Sequence, residues 1–166
     1  MIFNHHKKEG IQLDKTKLKL RPARMDDADV LLEWRNDWTT RRNFRNTAPV
    51  ERDEHITWLT KVLNGKADII LCIATIDDVP VGTVRGQPEG EYQDLSYTIA
   101  PEHRGKGLSI PMVLKFVQEY LPGKKVLCEI KKGNIPSEKV AQALGLHAET
   151  EHQNNSNDEP PLVVWK

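Results

Sequence analysis

The chain has 166 residues, enough for one domain with a single core, and its 24 lysines and arginines balance 24 aspartates and glutamates. This neutral balance gives no reason to propose nucleic acid or an anionic membrane surface as a partner. The sequence lacks an apolar run of about 18 residues and an apolar signal region, so we expect a cytoplasmic protein without a membrane partner.

The sequence offers little to a metal ion. Cys72 and Cys128 stand in separate apolar runs without a partner at metal-binding spacing. We interpret them as buried, reduced thiols. His5 and His6 are too few to indicate a metal site, so no metal is expected.

The N-terminal region predicts an arm followed by a strand and a helix. Residues 1–16 are polar without sustained periodicity, which favours a mobile arm before a single domain over 17–166. Residues 18–21 alternate as a strand, and Pro22 ends it. A helix then begins at Asp26, Asp27 and Asp29, because carboxylates favour the positive end of a helix dipole.

Helices and strands continue to the end of the chain. The further predicted elements are a polar connection over 38–49, a helix over 51–65, strands over 69–76 and 79–84, a loop over 86–90, a strand over 95–100, a helix over 110–120, a strand over 126–130, a helix over 134–144, and strands over 148–151 and 162–165. A polar segment over 154–161 predicts a mobile loop. The order is β α α β β β α β α β β, which indicates an α/β domain.

Residues 95–120 predict a strand, a glycine-rich bend and a helix. Pro101 ends the strand because it cannot donate to a sheet ladder, and residues 104–109 (Arg-Gly-Lys-Gly-Leu-Ser) lead into the helix. Unpaired amides at a helix start, glycines and two cations together favour a phosphate or pyrophosphate ligand. From these residues alone, a strand-to-helix turn with solvated cations is the alternative.

Two motifs resemble those of the GNAT superfamily of N-acetyltransferases. Arg104-x-x-Gly107-x-Ser109 is similar to its acetyl-CoA signature Gln/Arg-x-x-Gly-x-Gly/Ala, with serine as the final small residue. Residues 134–146 (Asn-Ile-Pro-Ser-Glu-Lys-Val-Ala-Gln-Ala-Leu-Gly-Leu) are similar to its later motif, Asn-x-x-Ala/Ser-x-x-Leu-Tyr-x-x-Leu-Gly-Phe. The bend matches neither the P-loop nor the dinucleotide fingerprint. The resemblance covers residues 18–166.

This resemblance implies an α/β GNAT fold that binds acetyl-CoA without a metal. A mixed central sheet of about seven strands would be flanked by four helices, with a splay between strands 4 and 5 that receives the cofactor. The residues implied to bind acetyl-CoA are Ile99, Ala100, Arg104, Gly105, Lys106, Gly107, Leu108, Ser109, Asn134, Ser137 and Lys139. Asn134 also suits a helix N-cap by its residue type.

The implied chemistry is direct transfer of acetyl to a primary amine in a ternary complex. Glu129, and after it Asp94, would accept the amine proton, although strand-end carboxylates are also commonly solvated or paired. Ala141 stands where the family usually has a tyrosine acid, so water or Tyr97 would protonate the thiolate. Positioning contributes about 7–11 kcal/mol, more than proton transfer, so activity should survive. A non-catalytic CoA-binding module is the alternative.

The early helices and their connection are expected to bind the acceptor. Trp34-Arg35-Asn36 and Glu54-His55-x-x-Trp58 resemble a GNAT subgroup that acetylates nucleotide-linked amino sugars of bacterial surface glycans. Arginines would balance a diphosphate, and aromatic rings would pack on a base or sugar. The residues expected at this site are Trp34, Arg35, Asn36, Arg41, Arg42 and His55, with Arg45 close by.

Other interpretations of these residues stay open. The tryptophans could belong to the core and the arginines could be solvated. Protein N-termini, protein lysines or a small metabolite amine are the alternative acceptors. The protein is expected to be a monomer or a homodimer.

Overall fold

The structure is a computed structural model and describes residues 13–153 and 159–166. Most of the arm predicted over 1–16, and most of the loop predicted over 154–161, lie outside the described residues. The described end of the arm is ordered by local bonds: Lys15–Lys17 form a 3-10 turn, capped by Asp14.

Seven strands and five α-helices make up the described part of the chain. The strands are β1 (Lys19–Pro22), β2 (Ile70–Ile76), β3 (Val79–Glu89), β4 (Tyr92–Ile99), β5 (Lys125–Lys131), β6 (Ala148–His152) and β7 (Leu162–Trp165). The helices are α1 (Ala28–Asn36), α2 (Trp38–Asn43), α3 (Arg52–Leu63), α4 (Ser109–Tyr120) and α5 (Ile135–Ala143). The strands form one sheet in the order β1-β2-β3-β4-β5-β7-β6, which confirms the predicted mixed seven-stranded sheet.

Helices cover the two faces of this sheet and bury two apolar clusters. On one face, Met112 and Phe116 of α4 and Val140 of α5 pack against the strands. On the other face, Trp34 of α1 and Leu59 of α3 pack against β2. The central strand β2 is buried along almost its whole length, because helices lie on both of its faces.

Two predicted connections are regular elements instead. The prediction of a loop over 86–90 is wrong, because β3 continues to Glu89 and pairs there with Tyr92 of β4. The turn between the two strands consists only of Gly90, which has a positive φ, and the residue after it. The polar connection predicted over 38–49 begins with α2. Asp37 caps this helix, because its carboxylate accepts a hydrogen bond from the Thr40 amide at 3.0 Å. Most side chains of α2 are polar, so its sequence shows no apolar periodicity that would have predicted a helix.

The sheet forks between β4 and β5, as predicted. These two parallel strands pair only from Tyr92↔Lys125 to Asp94↔Leu127. Beyond that point β4 continues to Ile99 beside β3, whereas β5 pairs with β7 from Cys128 onward. One edge of β4 therefore has no β5 partner over its last five residues, and this opening separates the sheet into two halves.

Further sequence expectations can be compared with the fold. Cys72 and Cys128 are buried and unpaired, as expected, and burial raises the pKa of the Cys128 thiol to about 12. None of the helices in the described ranges is long and apolar enough to cross a membrane.

Gly82 of β3 is required by the close packing of β3, β4 and α4. A Cβ at this position would lie 2.7 Å from the Thr98 carbonyl oxygen and 3.1 Å from the Met112 sulfur. Because the carbonyl belongs to the sheet backbone, we expect Gly82→Ala to lower the free energy of unfolding by about 1–3 kcal/mol. Urea unfolding measures this change.

Gly86→Ala is the matched control on the same strand. A Cβ there would meet mainly the ends of side chains, the nearest being Leu121 Cδ1 at 3.3 Å. These side chains can adjust, so the loss should be smaller than at Gly82. Equal losses for the two variants would contradict the assigned contact with the backbone.

Candidate active site

The glycine-rich loop between β4 and α4 has the geometry of an anion site. Gly105 and Gly107 have φ of 73° and 68°, which only glycine adopts readily, and Leu108 returns to the right-handed region. Alternation of left- and right-handed residues turns successive amides to one side. Within the described residues, the amides of 105–109 donate to no other protein group. They are available to a phosphate at the start of α4.

The side chain of Arg104 is engaged inside the protein. Its guanidinium donates to Asp37 Oδ2 at 2.7 Å and to Thr40 Oγ1 at 2.8 Å. This arginine therefore ties the loop to the start of α2. Lys106 is exposed and extends from the loop, with its amine 3.5 Å from His103 Nδ1.

Backbone groups of β4 face the opening of the fork. The Ala100 amide donates to the Val81 carbonyl on β3 at 2.9 Å, and the Ala100 carbonyl accepts from His103. Because backbone groups alternate in direction along a strand, those of Tyr97 and Ile99 point away from β3, toward the gap. Ile99 and Ala100 were both predicted to bind the cofactor. Of the two, Ile99 directs its backbone amide and carbonyl toward the gap, whereas those of Ala100 are hydrogen-bonded within the protein.

The start of α5 faces Tyr97 across the same gap. Asn134 caps this helix, since its side-chain oxygen accepts from the Ser137 amide at 3.5 Å. The Ser137 hydroxyl lies 3.2 Å from the Tyr97 hydroxyl. Burial raises the pKa of Tyr97, so its phenol stays protonated and able to donate. Lys139 is exposed further along the helix.

A cavity of about 410 Å³ lies beneath α1 and α3, on the face of β3 and β4 that is opposite to α4. Trp34, Arg35 and His55, three of the residues predicted for the acceptor site, line this cavity. Trp34 is only 2% exposed and also belongs to the core. His55 Nε2 is bonded to the Ala28 carbonyl at 2.8 Å, and burial lowers its pKa, so the ring is a neutral wall of the cavity.

Three other predicted acceptor residues lie outside the cavity lining. Asn36 forms two hydrogen bonds of 2.8 Å with the backbone of Val50 and holds the connection after α2. The Arg41 guanidinium stacks 5.5 Å from the centre of the Trp38 ring. Arg42 lines a separate groove that also contains Asn134.

Two arginines with incomplete hydrogen bonding face the cavity. Arg35 stacks 4.6 Å from the Phe44 ring centre and donates through Nη2 to the Asn46 carbonyl at 2.9 Å. Its buried Nη1 has no partner among the residues that the structure describes. Arg85 donates through Nε to Ser96 Oγ at 2.6 Å. Burial lowers the pKa of both guanidiniums, and that of Arg35 is lowered further by the charge of Arg85.

Sequence reasoning missed Arg85. The strand containing it was predicted to end one residue earlier, at 84. A usable signal was present, because Thr83 and Arg85 share one face of an otherwise apolar strand. A charged side chain on a covered sheet face is costly unless it has a ligand or partner.

The two predicted proton acceptors lie where the strands diverge. Asp94 is the last β4 residue paired with β5, and burial, with a contribution from the charge of Glu129, raises its pKa to about 6. Glu129 forms an ion pair with Arg45, which reaches it from the connection between α2 and α3. The two carboxylates are close enough for the charge of Glu129 to act on Asp94. Asp94 is half-buried, and Glu129 is paired with Arg45.

The site contains two ligand environments that meet at a forked sheet. One side has unpaired amides at a helix start, and the other has a cavity lined by arginine and aromatic side chains. Residues 13–153 and 159–166 contain no cluster of three or more His, Cys, Asp and Glu side chains that could hold a metal ion. An anionic ligand and a second ligand can thus approach the fork from two sides.

This arrangement defines an N-acetyltransferase that uses acetyl-CoA. The chain belongs to the GNAT acetyltransferase family, because the family model described as "Acetyltransferase (GNAT) domain" matches residues 17–147, more than half of its length. Acetyl-CoA is the acetyl donor of this family, and the predicted catalytic class is confirmed.

Solved structures share the fold at low sequence identity. Spermidine N-acetyltransferase from Vibrio cholerae, in complex with CoA and spermine, has a TM-score of 0.79 at 17% identity, covering 90% of this chain and 94% of that one. Ribosomal-protein-alanine N-acetyltransferase from Brucella melitensis has a TM-score of 0.74 at 20% identity, with coverages of 89% and 97%.

A third structure contains the cofactor itself. The protein yncA from Salmonella typhimurium, solved with its cofactor acetyl-CoA, has a TM-score of 0.72 at 18% identity, with coverages of 90% and 92%. A comparison with curated protein sequences found no significant match. At these identities the structural likeness shows the fold, and the acceptor must be argued from this chain's own residues.

The loop assignment predicts that Gly107→Asp abolishes tight CoA binding. The new carboxylate would stand beside the amides of 105–109 and repel the pyrophosphate. We expect the dissociation constant to rise by more than tenfold in calorimetry, because a charged hydrogen bond contributes about 1.5–3 kcal/mol and each 1.4 kcal/mol is tenfold.

Gly123→Asp is the matched control, since Gly123 also has positive φ and a Cβ there would meet nothing within 4 Å. It should cost similar backbone strain and leave CoA affinity unchanged. Parent-like CoA binding by Gly107→Asp would exclude this loop as the pyrophosphate site.

Proposed function

We propose that this enzyme acetylates a primary amine on an acceptor that carries phosphate, most specifically a nucleotide-linked amino sugar. The observation that supports this proposal is the charge of the acceptor cavity. Its lining includes Arg35, Arg45, Arg85 and one carboxylate, that of Glu54; Arg45 is balanced by Glu129, which leaves Arg35 and Arg85 as the lining arginines without an ion pair in the described residues. A cavity of this charge favours an anionic ligand over a cationic one.

The hydrogen bonding of these arginines strengthens the argument. Within the described residues neither Arg35 nor Arg85 forms a salt bridge, although both guanidiniums are partly buried; the charges of Glu54 and Asp94 act on them without direct pairing. Leaving buried charge and a donor unpaired is unfavourable, and a phosphate would supply both countercharge and acceptor atoms. Phe44 and the Asn46 carbonyl already hold Arg35 in place, so little side-chain entropy is lost when a phosphate binds.

The alternative acceptors fit this cavity less well. A polyamine has several positive charges and would need carboxylates where this cavity has arginines. A protein N-terminus needs a groove open along the peptide, whereas Arg45 crosses from the α2–α3 connection to Glu129 on β5. Tryptophan and phenylalanine rings beside the arginines can pack on a base or a sugar.

The residues of the fork suit binding of the donor and transfer of its acetyl group. Bound acetyl-CoA supplies a thioester whose carbonyl carbon can be attacked by an amine. Backbone groups of Tyr97 and Ile99 would hold the pantetheine from one side, and Asn134 from the other. An amine attacks only when it is neutral, so a carboxylate must take its proton while the C–N bond forms and the C–S bond breaks.

We propose Asp94 as this proton acceptor, with Glu129 as its electrostatic neighbour. The raised pKa of Asp94, about 6, makes it a stronger base than an ordinary aspartate yet still ionised at neutral pH. Glu129 is neutralised in part by Arg45. Tyr97, held by Ser137, is placed to give a proton to the leaving thiolate in the role that Ala141 cannot fill.

Asp94→Asn should lower kcat by well over tenfold with acetyl-CoA affinity unchanged, because the amide cannot accept the amine proton. In the parent, kcat/KM should rise with pH through about 6 and then level off, since only ionised Asp94 is a base. Measuring CoA release at a series of pH values, for the parent and for Asp94→Asn, tests the expected loss of turnover and the expected pH dependence.

Glu129→Gln should affect the pH dependence of the reaction more than its turnover at neutral pH, in contrast to Asp94→Asn. Removing its negative charge lowers the pKa of Asp94, so the acid limb of the profile should move to lower pH while turnover at neutral pH falls less. Loss of turnover in Glu129→Gln together with a parent-like Asp94→Asn would assign the base to Glu129 instead.

The acceptor proposal predicts that Arg35→Ala and Arg85→Ala each raise the acceptor KM about 10-fold to 100-fold, since a charge-assisted bond to phosphate contributes about 1.5–3 kcal/mol. The KM for acetyl-CoA should be unchanged. The assay measures CoA release with UDP-amino sugars, N-terminal peptides and polyamines.

Arg52→Ala is the control, because Arg52 is exposed and paired with Asp29 outside the cavity. It should behave as the parent with every acceptor. Turnover of peptides or polyamines without sugar nucleotides, or sugar turnover indifferent to both arginine variants, would overturn the amino-sugar assignment and leave the acetyltransferase class intact.

A further inference from the structure

The segment before β1 places a cation over the glycine-rich loop. Lys15 belongs to the 3-10 turn that precedes the domain's first strand, yet its Nζ lies 2.8 Å from the position that a Cβ on Gly107 would occupy. Its Cε lies 3.8 Å from the same position. The absence of a side chain at Gly107 thus leaves room for the lysine amine beside the loop backbone.

Local bonds on both sides hold this segment near the loop. Asp14 accepts from the Thr16 amide at 3.0 Å and from the Thr16 hydroxyl at 2.6 Å. The Lys17 backbone amide donates to the Asp14 carbonyl at 3.1 Å, and Leu18 is buried in the core. The backbone of Lys15 is therefore anchored by its neighbours, independently of its own side chain.

The amine of Lys15 has no other role in the described structure. It forms neither an ion pair nor a hydrogen bond with any residue of the described ranges. Because the positively charged amine lies beside Gly107, in a loop whose amides are unpaired, it complements the same kind of ligand as those amides do. Lysine is a point-charge donor that suits phosphate oxygens.

We propose that Lys15 binds the pyrophosphate of acetyl-CoA, so that the segment before β1 forms part of the cofactor site. The proposal rests on the loop assignment that Gly107→Asp tests, and it does not depend on the identity of the acceptor. Within the loop, the Arg104 guanidinium is bonded to Asp37, which leaves Lys106 as its other cation. Lys15 would add a second positive charge beside the two negative charges of the pyrophosphate.

Lys15→Met tests the proposal, because methionine keeps the length of the side chain and removes its charge. We expect its dissociation constant for CoA to rise by about tenfold, as for the loss of one charged hydrogen bond. The loss should be the same for dephospho-CoA, which lacks the 3′-phosphate and keeps the pyrophosphate. Lys15→Arg should restore most of the affinity, and the dependence of CoA binding on salt should be weaker in Lys15→Met than in the parent.

Lys17→Met is the matched control. Lys17 lies on the same segment and pairs with Asp77, away from the loop. It should bind CoA as the parent does. Calorimetry of the folded variants, with thermal unfolding to verify their stability, gives every comparison.

Each outcome decides the proposal. Parent-like CoA affinity in Lys15→Met, or an equal loss in Lys17→Met, would overturn it. A loss with CoA that disappears with dephospho-CoA would also overturn it, because the contact would then be to the 3′-phosphate. Loss of CoA binding in Gly107→Asp together with parent-like binding in Lys15→Met would keep the loop as the cofactor site and remove Lys15 from it.

Discussion

The short parallel pairing of β4 and β5 is the constraint on which the rest of the structure depends. A buried strand edge must have its backbone groups bonded, and β4 loses its β5 partner after Asp94. The backbone amides and carbonyls of Tyr97 and Ile99 on this edge are therefore available to bind a ligand that enters the gap in the sheet. The loop, α4 and α5 are arranged around this opening.

Charge is distributed unevenly in a chain whose net charge is zero. Several carboxylates are paired internally: Asp27 with Arg21, Asp37 with Arg104, and Glu159 with Lys131, which is only 5% exposed. These pairs hold connections against the sheet. Arg35 and Arg85 of the cavity form no ion pair within the described residues, whereas Arg45 is paired with Glu129, so the local excess of charge is positive although the composition is neutral. For that reason the overall charge contained no information about the acceptor.

Sequence reasoning predicted the loop because glycines and proline act locally, whereas the fork was implied by the resemblance to the GNAT superfamily. Glycine spacing in 104–109 specifies backbone conformation directly, and Pro101 limits the strand. The extension of β3 to Glu89 was missed, since polar residues beyond 84 resemble a loop until their pairing with β4 is known. Arg85, the Arg45–Glu129 pair and the engagement of Arg104 by Asp37 all depend on residues distant in sequence, which no local pattern reveals.

The hydrogen bonds of Arg104 to Asp37 and Thr40 connect the loop for one substrate to the helix that leads into the cavity for the other. If binding at the loop shifts this contact, α2 and the residues that follow it shift as well. Thermodynamic linkage then requires reciprocity: the factor by which acetyl-CoA changes the affinity for the acceptor equals the factor by which the acceptor changes the affinity for acetyl-CoA. A single arginine would thereby couple the affinities of the two substrates, to the same extent whichever of them binds first.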